Sequence, residues 1–441
     1  MGKWIQHPDI QRTDATTITH KTDSNMETVP SSAICTFVGE GAANVVFELA
    51  GVEDYPDLNG TAPPSNIPKV LARASRANEN LGQLLRLPKD ESNGPSYAEL
   101  QEYWENKVSP LFETHELVQQ KLVRLPQDPE FFDRLNQQLE QIEQKGTRRH
   151  DFAGHRFLPD GMNTGMLVED MRPRAASSRP SSSGADDGQG QNDGQEDDDD
   201  LFTLHEIKPK WLHQSPRAPE GAEQCRNCAR EVQRNLKNST RNPVFCPLNL
   251  VKATDFPRNQ NVAGDIRRAL GLSAAQSDNL QAWLRESTLL RRLRANQWAL
   301  DHADEKVVPA SASASASASS ASASGPFSSA TSGGDDDDDD DNIAKYCLAM
   351  TLRDCSLFLR IPRRPGASAD DVVAKLADLD KKNYGSKHEY WEGMEDGLHE
   401  KNLYWKSGGD GVSAALTDCQ LPFYKAGVKN LPPEVREYYR L

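Results

Sequence analysis

An alanine–serine repeat that runs into seven consecutive aspartates, within residues 308–342, limits what this chain can fold into. Such a tract buries too little apolar surface to offset its chain entropy, so it predicts a solvated, disordered spacer. A second tract rich in Ser, Gly, Asp and Gln, residues 173–200, has the same character. The 441-residue length suggests two or three domains. Residues 1–30, a Pro-, Asn- and Ala-rich insert at 51–80 and the two tracts remove roughly a quarter of it. Apolar patterning resumes after each tract, so the tracts read as loops inside one discontinuous α+β body with a sizeable core.

Lys and Arg total 51 against 66 Asp and Glu, a formal charge of −15. Residues 185–200 hold 8 acids and residues 335–341 hold 7, without a base in either. These 8 + 7 = 15 acids account for the whole imbalance. The acidic pI therefore says little about the folded part, and a local basic site for phosphates fits. No run of 18 apolar residues occurs, so no transmembrane helix is expected. Residues 1–26 are polar and lack an apolar signal core, so secretion is not expected. Seven scattered cysteines fit a reducing compartment.

Strands are expected at Ala33–Val38, Asn44–Leu49, Gly82–Leu87 and Gly165–Met171. Helical spacing covers Tyr97–Phe112 and Asp128–Gln144, the latter with Asp128 as N-cap and Pro129 at its first position. Helices are also expected at Cys225–Lys237, Asn261–Leu270, within 274–304, and at Tyr390–His399. Ile343–Ile361 reads as strand–turn–strand around Arg353-Asp354-Cys355, and Leu376–Asp380 as a short strand.

The most informative motif is Glu206-Ile-Lys-Pro-Lys-Trp211. Pro209 fixes its own φ and biases Lys208 towards an extended backbone. Alternation then predicts Glu206, Lys208 and Lys210 on one face, where an anionic ligand and a metal-bound nucleotide could meet. A solvated edge strand is the competing reading. Upstream, Gly39-Glu-Gly-Ala-Ala-Asn44 is a tight turn whose N–H groups could cradle a polyphosphate, or a plain hairpin turn. It matches neither the Walker A loop nor the dinucleotide fingerprint. Arg86 on the next strand could reach back to phosphates or simply snorkel. Glu169 and Asp170 close an apolar strand, as a hinge or as solvated acids. Asp354 suits a general base for a hydroxyl nucleophile, or a turn. Asp378 and Asp380, alternating on the predicted strand, suit Mg²⁺ that bridges nucleotide phosphates. Cys225-Arg-Asn-Cys228, with Cys246, His205 and His213, leaves a zinc knuckle open but without a second CxxC.

Taken in order, these pieces resemble the inositol-pentakisphosphate 2-kinase family, in its fungal form. The matching segments are GEGAAN 39–44, LLRL 84–87, LVEDM 167–171, EIKPKW 206–211, CPLNLV 246–251, MTLRDCS 350–356 and DLDKK 378–382. The resemblance implies a two-lobed inositol phosphate kinase fold, with a kinase-like N-lobe, a larger C-lobe and long disordered insertions. It implies a division into an arm (1–32), an N-lobe ending at the hinge (33–171), an acidic loop (172–200) and a first C-lobe part (201–307). An Ala-Ser and poly-Asp loop (308–342) and a second C-lobe part (343–441) complete it. It implies ATP and Mg²⁺, with transfer of the γ-phosphate to the 2-hydroxyl of inositol 1,3,4,5,6-pentakisphosphate to give inositol hexakisphosphate.

Residue by residue, the resemblance implies nucleotide contacts from Gly39, Gly41, Ala43, Asn44, Arg86, Glu169, Asp170, Glu206, Arg291 and Asp378. It implies acceptor contacts from Lys208, Lys210, Lys382, Lys387 and Tyr390, and from an arginine among Arg148, Arg149 and Arg156, with Arg149 taken. Asp354 would be the base, with Lys208 beside it, and Asp378 with Asp380 the metal ligands. A monomer without nucleic-acid partner or membrane insertion, in nucleus or cytoplasm, is expected. A non-catalytic inositol-phosphate binder of the same fold is the alternative. The protein-kinase His-Arg-Asp and Asp-Phe-Gly motifs are absent from the sequence, as is the PxxxDxKxG-type pattern of inositol polyphosphate multikinases. On this reading the Ala-Ser and poly-Asp tract is dispensable for chemistry. Deleting it should leave turnover intact, measured on a deletion variant with an unchanged circular dichroism spectrum.

Overall fold

The computed structural model describes residues 26–49, 83–89, 94–155, 157–159, 161–172, 201–240, 242, 244–256, 262–300, 336–406 and 417–439. The arm up to residue 25, the 51–80 insert and the 173–200 and 308–335 tracts lie outside the described residues, as does Arg156.

Two antiparallel sheets organise the molecule. The first has the order β1-β2-β3-β5-β4, from β1 (Cys35–Glu40), β2 (Asn44–Leu49), β3 (Gln83–Pro88), β4 (Gln120–Arg124) and β5 (Thr164–Glu169). Alternation decides its faces: Val45, Phe47, Leu85 and Leu87 are fully buried, while Glu48, next after Phe47, is exposed. Between β3 and β4, α1 (Tyr97–Tyr103) starts at a capping box made by Ser96 and Glu99. It runs on through a wider helical turn at Trp104–Val108. Helix α2 (Pro129–Gln144) starts where the sequence places it, with the Asp128 carboxylate accepting from the Glu130 N–H and Pro129 at the first position. Its Phe131, Phe132, Leu135 and Leu139 pack with the sheet's apolar face.

The second sheet has the order β6-β7-β8, from β6 (Phe202–Ile207), β7 (Ser356–Pro362) and β8 (Val373–Ala377). Strand β7 is paired on both sides and apolar, and Leu357, Leu359 and Ile361 lie in the largest core cluster. Helices from the intervening chain share that core: α3 (Arg226–Asn238), α4 (Leu248–Asp255), α5 (Val262–Leu270), α6 (Ala274–Glu286) and α7 (Leu289–Ala299). Helix α8 (Asp336–Leu352) leads into β7, and α9 (Tyr384–Glu400) follows β8. The last described residues return to the core: the Tyr439 hydroxyl donates to Asp255, which also takes the buried Arg294.

The two sheets meet along a seam beside β8. The Val118 N–H donates to the Leu376 carbonyl at 2.9 Å. Lys375 forms a buried ion pair with Glu169, and Arg86 a partly buried one with Asp380.

Four expectations from the sequence are corrected. The stretch 343–361 is helix–turn–strand, because Ile343–Leu352 belongs to α8. Residues 336–342, placed in the loop, are the first turns of that same helix, so a clean deletion of the tract must stop at 335. Strand β6 ends at Ile207, and Lys210 has φ 54°, so strand alternation does not carry Lys208 and Lys210. Strand β8 ends at Ala377 and Asp378 has φ 57°, so Asp378 and Asp380 do not share a strand face.

Candidate functional site: a cationic cavity beside Asp354

The chain between Ile207 and Trp211 leaves the sheet because Lys210 turns it into the left-handed region. A non-glycine residue held there costs of order 1–3 kcal/mol, so the surroundings must enforce it. Gln297, fully buried on α7, does so. Its amide nitrogen donates to the Lys210 carbonyl at 2.7 Å and the Leu352 carbonyl at 3.0 Å, and its oxygen accepts from the Leu212 N–H at 3.0 Å. One side chain thereby ties the Lys-Pro-Lys turn to the end of α8, two residues before Asp354.

Asp354 sits in the α8–β7 turn, half exposed. Its two oxygens are divided between Lys210 and Lys382, each 2.9 Å away. Burial works to raise its pKa, but the two ammonium groups outweigh that and hold it down at about 2. Lys208 donates to the Asp354 carbonyl at 3.0 Å and to the Asp378 carboxylate at 2.6 Å. Burial opposes the Lys208 charge, but Asp378 prevails and its pKa is raised. Asp380 goes the other way: both its oxygens take the guanidinium of Arg86, and its carbonyl accepts from Thr351. An unbroken series of ion pairs and short chain links therefore runs from β3 of the first sheet to Asp354.

These groups open on a cavity of about 550 Å³. Lys208, Lys210, Lys382 and Lys387 line it, together with Arg226, Arg230, Arg234 and Arg353, against the acids Asp354 and Glu231. Tyr390, 58 % exposed on α9, stands at its edge. Trp211 is buried in its wall, with the Arg353 guanidinium 3.6 Å from the ring centroid and that of Arg226 4.6 Å away. The stack places two like charges close together. Burial and then Arg226 push the Arg353 guanidinium well below its usual range, with Glu395 opposing. Glu395 takes Arg226 at 2.6 Å. A wall this rich in cations suits a ligand with several negative charges.

The structure thus brings Lys208, Lys210, Asp354, Asp378, Lys382, Lys387 and Tyr390 together. Glu206 flanks them and accepts from Ser356 at 2.6 Å. A second group lies on the first sheet. The Asn44 amide sits 2.8 Å from the Tyr97 hydroxyl and 2.7 Å from Arg86, with its oxygen best facing the arginine. Ala43 and Gly41 hold the turn through the Lys89 N–H to Ala43 carbonyl and Gly41 N–H to Asn44 carbonyl bonds. A Cβ on Gly39 or Gly41 would meet open space, so what glycine leaves here is access rather than a strained turn.

Other residues stand apart from both groups. Glu169 is held by Lys375, and Asp170 accepts from the backbone and side chain of Arg172. Arg149 is exposed and pairs with Asp151, Arg148 is buried against Glu40 and Glu143, and Arg291 donates to the Arg285 carbonyl. The sequence reading missed Gln297, Arg353 and the α3 arginines Arg226, Arg230 and Arg234. The last three have i, i+4, i+8 spacing, a signal the helix assignment alone could have supplied. Gln297 carries none, because its partners are remote in sequence.

Asp378, half exposed and with one oxygen on Lys208, fits a hard divalent cation better than Asp380, both of whose oxygens are taken by Arg86. Among the described residues, the cluster of potential metal donors is of another kind: the thiols of Cys225, Cys228, Cys246 and Cys419. His205 and His213 lie elsewhere, bonded to Thr203 and to the Gln214 carbonyl.

Fold and site define a mixed α+β protein whose second sheet adjoins a cavity lined by lysines and arginines, with the Asp354 carboxylate in its wall. The sequence model of the inositol-pentakisphosphate 2-kinase family matches residues 37–271 and 258–397. The chain belongs to the inositol-pentakisphosphate 2-kinase family. It is also similar to the inositol-pentakisphosphate 2-kinase of Yarrowia lipolytica, 27% identical over 203 residues. That match covers 46% of this chain and 54% of the relative, so it spans about half of the relative's length.

Replacing Gln297 by alanine strands three backbone groups at once. We expect a loss of about 2–4 kcal/mol in urea unfolding, at roughly 1–3 kcal/mol per unsatisfied buried group with partial relaxation. A change below about 0.5 kcal/mol would show that the turn holds itself.

Proposed function

We propose that the chain is an ATP-dependent inositol-pentakisphosphate 2-kinase. It transfers the γ-phosphate to the 2-hydroxyl of inositol 1,3,4,5,6-pentakisphosphate and yields inositol hexakisphosphate. The observation that carries this is the Asp354 carboxylate, held between Lys210 and Lys382 in the wall of a cavity lined by eight lysines and arginines. Five phosphates demand many cations, and a hydroxyl nucleophile demands one nearby proton acceptor.

In this reading Lys208, Lys210, Lys382, Lys387 and Tyr390 grip the acceptor, with Arg226, Arg230, Arg234 and Arg353 added from the cavity wall. Asp354 takes the hydroxyl proton. Without ligand its charge is tied to Lys210 and Lys382, and a carboxylate of pKa about 2 is a weak base. The acceptor's phosphates compete for those same ammonium groups. Binding therefore frees the carboxylate and raises its pKa, so the base is activated only when the acceptor is present. Lys208, next to the Asp354 carbonyl, would neutralise the transferred group.

The nucleotide would lie over the first sheet, on the turn of Gly39, Gly41, Ala43 and Asn44 and beside Arg86. Glu169 and Asp170 would face its adenosine end, and Glu206 and Asp378 its phosphates. Arg291 and Arg149 would need to move from their present partners to take the roles the resemblance gives them. Mg²⁺, held by Asp378 and secondarily by Asp380, would supply charge neutralisation between the phosphates when bound. The two sheets would then be the cores of two lobes, 33–171 and 201–441, with the nucleotide at the seam.

The test is incubation of the full chain with Mg-ATP and inositol 1,3,4,5,6-pentakisphosphate, with hexakisphosphate followed by phosphorus NMR. We expect product from wild type and a loss of at least about 100-fold in Asp354→Ala, in the range for a general base. Acceptor affinity should hold or rise, since a competing anion is removed. A folded wild type that binds the acceptor without turnover would instead support the non-catalytic binder.

A further inference from the structure

Arg86 stands on a strand of the first sheet and takes its carboxylate from beside the second. Its Nη1 donates to one oxygen of Asp380 at 2.9 Å, and its Nη2 donates to the other. Nη2 also lies 2.7 Å from the side-chain oxygen of Asn44, in the turn between β1 and β2. These bonds use three of the five guanidinium N–H groups. The Tyr97 ring, at the start of α1, has its centroid 5.6 Å from the guanidinium, and its hydroxyl bonds the Asn44 amide at 2.8 Å. Burial works against the Arg86 charge, but the Asp380 carboxylate outweighs it and raises its pKa.

In protein kinases a strand lysine takes its carboxylate from a helix of the same lobe. Here the helix after β3 presents Tyr97 to the strand cation, and the carboxylate comes from the chain just after β8. Asp380 is itself fixed from behind. The Thr351 hydroxyl, at the end of α8, donates to its carbonyl at 2.9 Å, and the Tyr103 hydroxyl donates to Thr351 at 3.3 Å. Helix α1 thus supports both halves of the pair, Arg86 through Tyr97 and Asp380 through Tyr103. Its packing is divided in the same way. Tyr97 and Leu100 pack with Met166 of the first sheet, while Trp104 and Val108 of its continuation lie in the core of the second. The place of Arg86 is therefore set by how the two sheets stand against each other.

This pair differs from the lysine contacts of Asp354. There a half-exposed carboxylate gives one oxygen to each of two ammonium groups. Asp380 grips a planar fork at two points, with only 13 % of the Arg86 side chain and 24 % of its own exposed. A guanidinium held in this way is oriented, and a phosphate that meets it does not have to order a free side chain.

We propose that Asp380 is a positioning residue for the nucleotide. It holds Arg86 across the seam beside the phosphate turn, so that Arg86 meets a phosphate only while the seam is intact. The resemblance assigns Asp380 to the metal, whereas its geometry serves Arg86 first and leaves the metal mainly to Asp378. The inference rests on the reading of the first sheet's turn as the nucleotide site.

The experiment measures ADP binding to the full chain by calorimetry, first in EDTA and then with Mg²⁺. In EDTA, Asp380→Asn should weaken ADP by at least about tenfold, the scale of one charge-assisted contact. Removing a negative charge near phosphates would by itself tighten binding, so weakening reports the lost orientation of Arg86. In an Arg86→Met background the same change should no longer weaken ADP, because Asp380 acts through Arg86. The gain in affinity that Mg²⁺ gives should stay within about threefold of wild type in Asp380→Asn and be lost in Asp378→Asn. Thr351→Val, which removes the bond to the Asp380 carbonyl and leaves every charge in place, should weaken ADP in EDTA in the same direction.

Urea unfolding of each variant separates this from a structural role, which would lower the midpoint and leave ADP affinity unchanged. Unchanged or tighter ADP binding by Asp380→Asn in EDTA overturns the inference, and so does loss of the Mg²⁺ gain in that variant. Failure of folded wild type to bind ADP overturns the nucleotide reading itself, and the inference with it.

Discussion

The carboxylate of Asp354, shared between Lys210 and Lys382, is the interaction on which the rest of the site depends. Two ammonium groups about 4 Å apart repel by about 4 kcal/mol at an effective dielectric near 20. A wall with Lys208, Lys210, Lys382 and four arginines would drive itself apart without acids interleaved among them. Asp354, Asp378 and Glu395 supply that interleaving, each against a named cation. The pairing is also reversible in a useful sense. On the proposed function, a polyanionic ligand would offer the same lysines better partners, so the carboxylates paired with them are the groups it would displace.

Holding these charges requires backbone that does not follow regular structure. Lys210 and Asp378 both adopt left-handed conformations, one just after β6 and the other just after β8. Each turns the chain at the edge of the three-stranded sheet, which aims Lys208 at Asp378 and leaves Asp380 to face Arg86 of the other sheet. Gln297 beneath the first turn and the Trp211 stack beside it keep that geometry fixed. Strain of this kind tends to be concentrated where a site has to be preorganised.

Much of this was legible from local sequence, and the limits have physical causes. Four of the five strands of the first sheet and α2 were readable, β4 being the one not expected, because alternation and capping are local signals: Asp128 with Pro129 sets the helix start without help from the rest of the chain. The Lys-Pro-Lys motif pointed to two residues that do converge, but for the wrong reason, since Lys208 and Lys210 meet through a left-handed turn and not through strand alternation. The poly-Asp run misled because its last residues join a helix whose apolar part begins only at Ile343. The CxxC was visible, but Cys419 is 191 residues beyond Cys228, and only folding reveals that they meet. Arg353 was passed over because a charged residue beside a candidate base gives no sign of stacking on a tryptophan 142 positions earlier.

The central claim is that the acceptor itself releases Asp354 from its lysines. The direct measurement is the carboxyl carbon shift of Asp354, followed by ¹³C NMR against pH in protein labelled at aspartate, with Asp354→Asn for assignment. Free protein should titrate near the value of about 2 set by Lys210 and Lys382. With inositol 1,3,4,5,6-pentakisphosphate and a non-hydrolysable ATP analogue bound, the midpoint should move up by one unit or more, equivalent to at least about 1.4 kcal/mol of lost cation contact. An unchanged midpoint in the saturated complex would mean that Asp354 keeps its lysines, and would contradict the account.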